Sequence, residues 1–414
     1  MQDKHSTLRT LAPSERIYID FAKGSAVLAS LMLDSHLSVE QAQTSLTQLI
    51  QSHPLLQSIV APDQAQLNFV THADKTEINL INSSDFERVY QDVQNTLLDP
   101  TKKLIHCSLA QSEASQQSYI VFLLHHCVAD GTCAAEFLND FMLIYTGQTT
   151  DADYQVPAAI ETLSSAPQQS ADDTRAQEQA LINQLQPIRM PFKPEIELTT
   201  QPYMSTLNRS FSTQESEKLI QATKVKGCTV HGVLSAAIIQ ASYQLASAAY
   251  QKDELTLCIK YALDIRRRLP KPLPRRQVFA AVTAYNELYE LSKEQSFWQL
   301  ADSTKSKVHS YLDNDGASKS AHAFSAAKSV ENANVALMIS NIGQSGVANK
   351  YADIVVLDAH VHATVLAPCP VITVLTFNGR IQLDFSFTQP FVPQYATTQI
   401  ADRAMDILRT ELVL

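Results

Sequence analysis

His125 and His126 stand side by side, and Asp130 and Gly131 follow within one turn's length of chain. A neutral imidazole, whose ordinary pKa is about 6.5, can take a proton from a hydroxyl or an amine at neutral pH. The segment before the pair, Tyr119-Ile120-Val121-Phe122-Leu123-Leu124, is a short apolar run rich in β-branched and aromatic residues, which predicts an interior strand. The histidines therefore emerge where a strand leaves the core. Successive strand side chains point to opposite faces, so one imidazole faces a cleft while its neighbour packs the other way. Asp130-Gly131 predicts a turn, and Phe137, Leu138, Phe141 and Ile144 then recur at helical spacing up to a stop at Gly147. Adjacent strand histidines diverge, and no other histidine or cysteine completes a four-ligand spacing, so no metal is expected. Cys127 and Cys133 read as small buried apolar residues rather than reactive thiols.

This arrangement resembles the HHxxxDG signature of the acyltransferase superfamily that contains chloramphenicol acetyltransferase, nonribosomal peptide condensation domains, alcohol acetyltransferases and phthiocerol dimycocerosyl transferases. His125, His126, Asp130 and Gly131 occupy the four signature positions. The resemblance implies that His126 is the catalytic base, with His125 and Gly131 supporting it. It implies that Asp130 is architectural and ion-pairs with an arginine instead of touching substrate. It also implies an acyl thioester cosubstrate, either acyl-coenzyme A or a phosphopantetheinyl thioester on an acyl or peptidyl carrier protein, with no permanently bound cofactor. Base-assisted attack on a thioester needs no side-chain nucleophile, so no covalent enzyme intermediate is expected.

Other segments carry further expectations. Asp264-Ile265-Arg266-Arg267 resembles the Asp-x-Arg segment of alcohol acetyltransferases and dimycocerosyl transferases, and Arg266 is the arginine expected to reach Asp130, a carboxylate costly to bury alone. A surface arginine is the alternative. Ile339-Ser340-Asn341-Ile342-Gly343 resembles a Ser-Asn-x-Gly strand end in the alcohol acetyltransferase branch, where Ser340 or Asn341 would donate to the oxyanion or orient the acceptor. The alternative is a polar strand exit that caps backbone groups. Lys260, Arg266, Arg267, Arg268, Lys271, Arg275 and Arg276 form a basic cluster opposed by Asp264 alone. It reads either as a site for donor phosphates or an acidic carrier surface, with Arg267, Arg268, Arg275 and Arg276 holding phosphate, or as a solvated loop balancing nearby acids. His360-Val361-His362 puts two imidazoles on one strand face without companion ligands and reads as an ordinary polar face.

The whole chain bounds these readings. Its 414 residues leave room for two to three average domains, and 45% hydrophobic with 18% charged residues is an ordinary globular composition. A net charge of −10 argues against broad nucleic-acid binding. The start Met1-Gln2-Asp3-Lys4-His5-Ser6 has no apolar region behind it, and no run of about 20 apolar residues occurs, so neither a signal peptide nor a membrane span is expected. Six cysteines at 107, 127, 133, 228, 258 and 369 show no framework spacing and fit reduced thiols, which together with the missing leader gives a cytoplasmic reading. There is no Gly-x-Ser-x-Gly elbow, phosphate loop or Rossmann fingerprint, and nine glycines leave little room for one. The plant BAHD motif Asp-Phe-Gly-Trp-Gly is also missing, since the only tryptophan is Trp298.

The elements that must position the motif can be read in outline. Ser38-Val39-Glu40-Gln41 is a capping-box pattern opening a helix through Ala42, Leu46, Leu49 and Ile50 that ends before Pro54. Residues 148 to 205 turn polar and then proline-rich, which predicts a linker with a polar helix near 172–186. After it come a capping box at Ser212-Glu215, a helix stopping at Gly227, and a mostly apolar helix over 229–249. Strands are predicted at 255–262, 334–340, 354–357, 371–377 and 381–387, the last two joined at Asn378-Gly379, before a C-terminal helix. The expected fold is α+β: a subdomain over 1–165 carrying the histidine motif, a linker over 166–205 and a second subdomain over 206–414. The resemblance implies that both are chloramphenicol acetyltransferase-like, each a mixed sheet with helices, with an active-site tunnel between them.

The function expected on this basis is transfer of an acyl group from a thioester to a small-molecule alcohol or amine. Two alternatives stand beside it: a free-standing condensation enzyme of the nonribosomal-peptide type, and a catalytically silent protein that binds a carrier or acyl ligand.

Overall fold

The computed structural model describes residues 6–20, 25–63, 66–71, 76–149, 154–163, 176, 179–192, 201–313 and 334–413. They form α+β architecture in two compact units, each built on a mixed sheet with helices. The first unit comprises Met1–Ser165, Arg266–Val282 and Gln344–Val365; the second comprises Ala166–Ile265, Thr283–Gly343 and Leu366–Leu414. A single boundary through the linker misses this exchange, in which two stretches of the C-terminal half fold with the first unit. The reason lies in their side chains and register, described below.

In the first unit the main sheet, among the described residues, has the strand order 350–351, 354–364, 26–33, 118–125, 105–111, 78–82. The strand Ser118–His125 lies inside it, antiparallel to Ala26–Leu33 on one side and to Ile105–Gln111 on the other. All eight of its residues are buried, which is why it reads as an unbroken apolar run instead of alternating. The late strand Ile354–Thr364 joins this sheet antiparallel to Ala26–Leu33, placing Thr364 opposite Ala26. The Thr364 hydroxyl reinforces that register by accepting from the Ala26 N–H and donating to the Ala26 carbonyl, each at 3.1 Å.

The helix Gly131–Tyr145 follows the histidine turn and packs on Ala26–Leu33, Ile354–Thr364 and the helix Val39–Gln51. Phe137 and Phe141 meet Phe122 edge-on, with centroids 5.3 and 5.1 Å apart. Each such ring taken out of water contributes about 1.5–3 kcal/mol, so the helix bearing the motif's acid and glycine is anchored to the strand bearing its histidines.

The second unit contains a sheet ordered 282–292, 254–264, 335–344, 371–377, 380–389, 203–210 among the described residues. Ala236, Ala237 and Ala241 on the helix Val230–Tyr250 belong to the core formed with this sheet. Asn378 and Gly379 have φ of 47° and 73°, the left-handed pair needed by a tight hairpin, and the ladder closes on Phe377 and Arg380. Helices at Thr213–Val225, Phe297–Asp313 and Gln394–Leu412 join the Val230–Tyr250 helix.

Several elements differ from expectation. The strand Val282–Ser292 and the helix Phe297–Asp313 were not anticipated, and the strand Tyr203–Ser210 begins inside the expected linker. Helix is present at 179–185, while 166–175, 177–178 and 193–200 of that linker lie outside the described residues.

Candidate active site

The ladder between Ala26–Leu33 and Ser118–His125 ends at the pair Ala26 and His125, and the chain turns there. The His125 N–H donates to the Leu104 carbonyl at 2.8 Å and the His126 N–H to the Ser25 carbonyl at 2.9 Å, so both backbone positions are held from opposite sides. His125 is fully buried; its Nδ1 accepts from the Cys127 N–H at 3.2 Å and lies 3.0 Å from the Cys127 sulfur. Burial and the neighbouring His126 push its pKa down to about 4, leaving a neutral, internally bonded ring. His126 retains 8% of its surface. Burial lowers its pKa too, opposed by the backbone carbonyls of His126 and Ala129 and by the charge of Asp130. A Tyr18 ring lies flat against the His126 imidazole, with centroids 4.2 Å apart and 5° between planes.

Asp130 caps the helix through its Oδ1, which accepts from the Cys133 N–H at 3.1 Å. Its Oδ2 accepts from Arg266 Nη1 at 2.6 Å and from the Ala281 N–H at 2.8 Å. Arg266 Nη2 also donates to the Phe279 carbonyl. Gly131 opens the helix directly behind this carboxylate. Cys127 and Cys133 are buried, and burial lifts both thiols, Cys133 to about 12, so neither offers a thiolate.

The remaining arginines divide. Arg275 Nε meets Glu136 Oε1 at 3.0 Å and its Nη2 donates to the Gln344 carbonyl at 3.2 Å. Arg276 Nε lies 3.4 Å from Asp140 Oδ1. Asn139 satisfies its neighbours with its oxygen on Arg276 Nη2 at 3.1 Å and its nitrogen on the Gly346 carbonyl at 3.0 Å and Tyr351 hydroxyl at 2.7 Å. A Cβ on Gly346 would run into the Glu136 carboxylate, which would have to move away from its arginine partner to make room. Arg275 and Arg276, expected from the sequence either to hold donor phosphate or to balance nearby acids, lie against Glu136 and Asp140 of the Gly131–Tyr145 helix while keeping 30% and 42% of their side chains exposed. Arg267 and Arg268 are exposed.

The stretch 266–282 is therefore stitched to the first unit along its length. Besides the arginines, Gln277 Nε2 donates to the Gln155 carbonyl at 3.0 Å and the Val278 N–H to His53 Nδ1 at 3.4 Å. His53 is buried, stacked on Tyr154 at 4.8 Å, and burial pushes its pKa down to about 3.

Ser340 and Asn341 lie in the strand Val335–Gln344 of the second unit, half-buried. The Asn341 side-chain oxygen accepts from the Gly343 N–H at 2.9 Å, the strand-exit cap named as the alternative from sequence. His362 lies under Tyr90, whose hydroxyl is 3.2 Å from Nδ1, and His360 Nε2 lies 3.4 Å from Asp358. Among the described residues no three histidine, cysteine or acidic groups come together in a metal-ligating cluster, and no helix is long and apolar enough to cross a membrane. Sequence reasoning missed Tyr18, His53 and the Phe279 and Ala281 backbone groups. Pro13 and Glu15, a proline at a helix start with an acid two residues on, could have announced the helix Pro13–Asp20 that carries Tyr18.

A strand ending in paired histidines and an acid locked to a distant arginine define a class, and comparison with known proteins agrees. Residues 20–252 match the condensation domain family, and residues 201–386 match the phthiocerol/phthiodiolone dimycocerosyl transferase C-terminus family. The chain belongs to the condensation domain family, within the superfamily of condensation and acyltransferase enzymes. Its fold is similar to that of polyketide synthase associated protein 5 from Mycobacterium tuberculosis, with a TM-score of 0.79 and 16% identity over 99% of each chain. It is similar also to TRI3 trichothecene 15-O-acetyltransferase from Fusarium sporotrichioides, with a TM-score of 0.75 and 13% identity over 97% of this chain and 94% of that one. The first condensation domain of the CDA synthetase gives a TM-score of 0.71 and 14% identity, covering 100% of this chain and 97% of that one. No curated protein matches the sequence. Family membership supports acyl transfer as the general activity.

Proposed function

We propose that this protein transfers an acyl group from a thioester, acyl-coenzyme A or acyl carrier protein, to a hydroxyl or amine of a small molecule, with His126 as general base. The imidazole accepts the acceptor's proton as its oxygen or nitrogen attacks the thioester carbonyl carbon. The tetrahedral intermediate then collapses, breaking the carbon–sulfur bond, and the imidazolium returns the proton to the departing thiolate. Ser340 and Asn341 keep the role of oxyanion donor or acceptor-orienting group in this reading, Asn341 through its amide nitrogen. Arg267 and Arg268, with Arg275 and Arg276, are the arginines proposed to meet an anionic donor.

The observation that carries the reading is the division of labour between His126 and Asp130. The imidazole is kept neutral by burial, as a base must be, while the carboxylate is committed to Arg266, Ala281 and Cys133. The test is to incubate the protein with acyl-coenzyme A donors or acyl-loaded carrier protein and a panel of alcohols and amines, following free thiol and acylated product. His126→Ala should abolish turnover while the protein still folds and melts cooperatively, at a somewhat lower temperature. Full activity in that variant, or no thiol release from any donor, would sink the proposal.

A further inference from the structure

We propose that Tyr18 is a positioning residue for His126, its ring face holding the imidazole in one orientation and stabilising the imidazolium that forms when the base takes a proton. This rests on His126 acting as the base. The two rings are nearly parallel at 4.2 Å, and neither can rotate without losing the other's face. A general base changes charge during the reaction: neutral when it meets the acceptor, cationic as the tetrahedral intermediate forms. An aromatic face attracts a cation more strongly than a neutral ring, and more so where water is excluded. The contact therefore strengthens toward the transition state, and only interactions that do so accelerate the chemical step.

Tyr18 is itself firmly held. The Glu15 carboxylate closes the first turn of its helix by accepting the Ala12 N–H at 2.7 Å. The same carboxylate takes two bonds from Arg9, at 2.5 and 2.8 Å, and Arg9 donates as well to the Pro157 carbonyl at 2.8 Å. Ser14 N–H donates to Glu161 at 2.9 Å, tying the helix start to a second element. Among the described residues the titratable groups near the His126 ring are Asp130, paired with Arg266; the neutral His125; the Cys127 thiol, which burial keeps protonated; and the Tyr18 phenol, whose pKa burial raises. Of these, the Tyr18 face is the one in flat contact with the imidazole.

The test compares Tyr18→Phe, Tyr18→Leu and pentafluorophenylalanine incorporated at position 18, each checked by thermal melting. The His126 ring is titrated by NMR through its carbon-bound protons, and turnover is followed by thiol release. Tyr18→Phe keeps an aromatic face and should hold kcat within about threefold of the parent with the same His126 titration. Tyr18→Leu should lower kcat roughly ten- to thirtyfold with little change in KM and move the His126 titration to lower pH. The fluorinated ring keeps the volume of the native ring but reverses its quadrupole, and should do the same, which covers a leucine variant that fails to fold. An unmoved titration in the fluorinated variant would overturn the proposal. So would a Tyr18→Phe variant as impaired as the leucine one, because the effect would then belong to the hydroxyl. Turnover retained in His126→Ala would sink the base reading itself, a failure the ring titration distinguishes from loss of stacking.

Discussion

Arg266 Nη1 donates to Asp130 Oδ2 across 2.6 Å, with 1% and 5% of the two side chains exposed. Residues 136 positions apart in sequence thus share a buried charge pair, and the Ala281 N–H joins them on the same oxygen. Taking both charges out of water is expensive, and the pair repays that cost only because every contact is short and charge-assisted. The arrangement explains why a stretch of the C-terminal half folds with the first unit: Arg266 has its counter-charge there.

Breaking this pair on one side leaves the other charge buried alone. Asp130→Ala and Arg266→Ala should each cost about 3–5 kcal/mol, measured as the shift in urea midpoint. Asp130→Leu combined with Arg266→Met should cost clearly less than the sum of the single changes, since neither charge remains. Additive losses would remove the pair as the organising contact, and a normal melt with lost turnover in Asp130→Ala would move that residue from scaffold to chemistry.

How much of this was readable beforehand depends on range. The apolar run Tyr119–Leu124, the aromatic spacing of Phe137 and Phe141, the capping box at Ser212-Glu215 and the Asn378-Gly379 turn are local patterns, and each yields an element where expected. Strand 282–292 was missed because its polar and apolar residues alternate irregularly, and helix 297–313 because Ala301 and Thr304, small or polar, dilute a stripe that with Phe297, Leu300 and Val308 falls at helical spacing. The contact of Arg266 with Asp130 was suggested through resemblance alone, since local sequence holds no term for a partner 136 residues away. Tyr18 and His53 were invisible for the same reason: nothing in their neighbours marks one ring as lying on His126 or the other as accepting the Val278 N–H.

Arg275 offers a direct choice between anion binding and scaffold. Its Nε is 3.0 Å from Glu136, a carboxylate that also lies where a Cβ of residue 346 would be. Were its role scaffold alone, Arg275→Ala would lower the thermal midpoint by a few degrees and leave the KM for acyl-coenzyme A within about twofold, because the ion pair is partly exposed and worth roughly 1 kcal/mol. Gly346→Ala should displace Glu136 and reproduce that loss or exceed it. A tenfold rise in KM with an unchanged melt would instead assign Arg275 to the donor.

His53 should make stability acid-sensitive. Its folded pKa of about 3 lies below the ordinary histidine value of 6.5, so as pH falls from 6.5 toward 3 the unfolded chain takes up a proton that the folded chain refuses. The stabilisation is complete above pH 6.5 and is lost progressively below it, by several kcal/mol at most. His53→Gln, whose side-chain oxygen can still accept from Val278, should lessen the fall in urea midpoint between pH 7 and 4. An identical slope in parent and variant would place the acid sensitivity elsewhere.

Asp140 works in the opposite direction within an overlapping window. Burial, with Glu136 adding repulsion, raises its carboxyl from 3.8 to about 6 against the pull of Arg276. Between those values the folded chain holds a proton that the unfolded chain has released, so stability falls as pH rises through 4 to 6. The difference is on the order of 3 kcal/mol, one pKa unit being 1.36 kcal/mol. Asp140→Asn keeps the shape and cannot ionise. Relative to the parent, its urea midpoint should improve steadily from pH 4 to pH 7, whatever the fixed cost to Arg276, because that arginine stays charged throughout. A difference between the two proteins that does not change over this range would show that Asp140 is already ionised at pH 4, with the Arg276 contact outweighing burial.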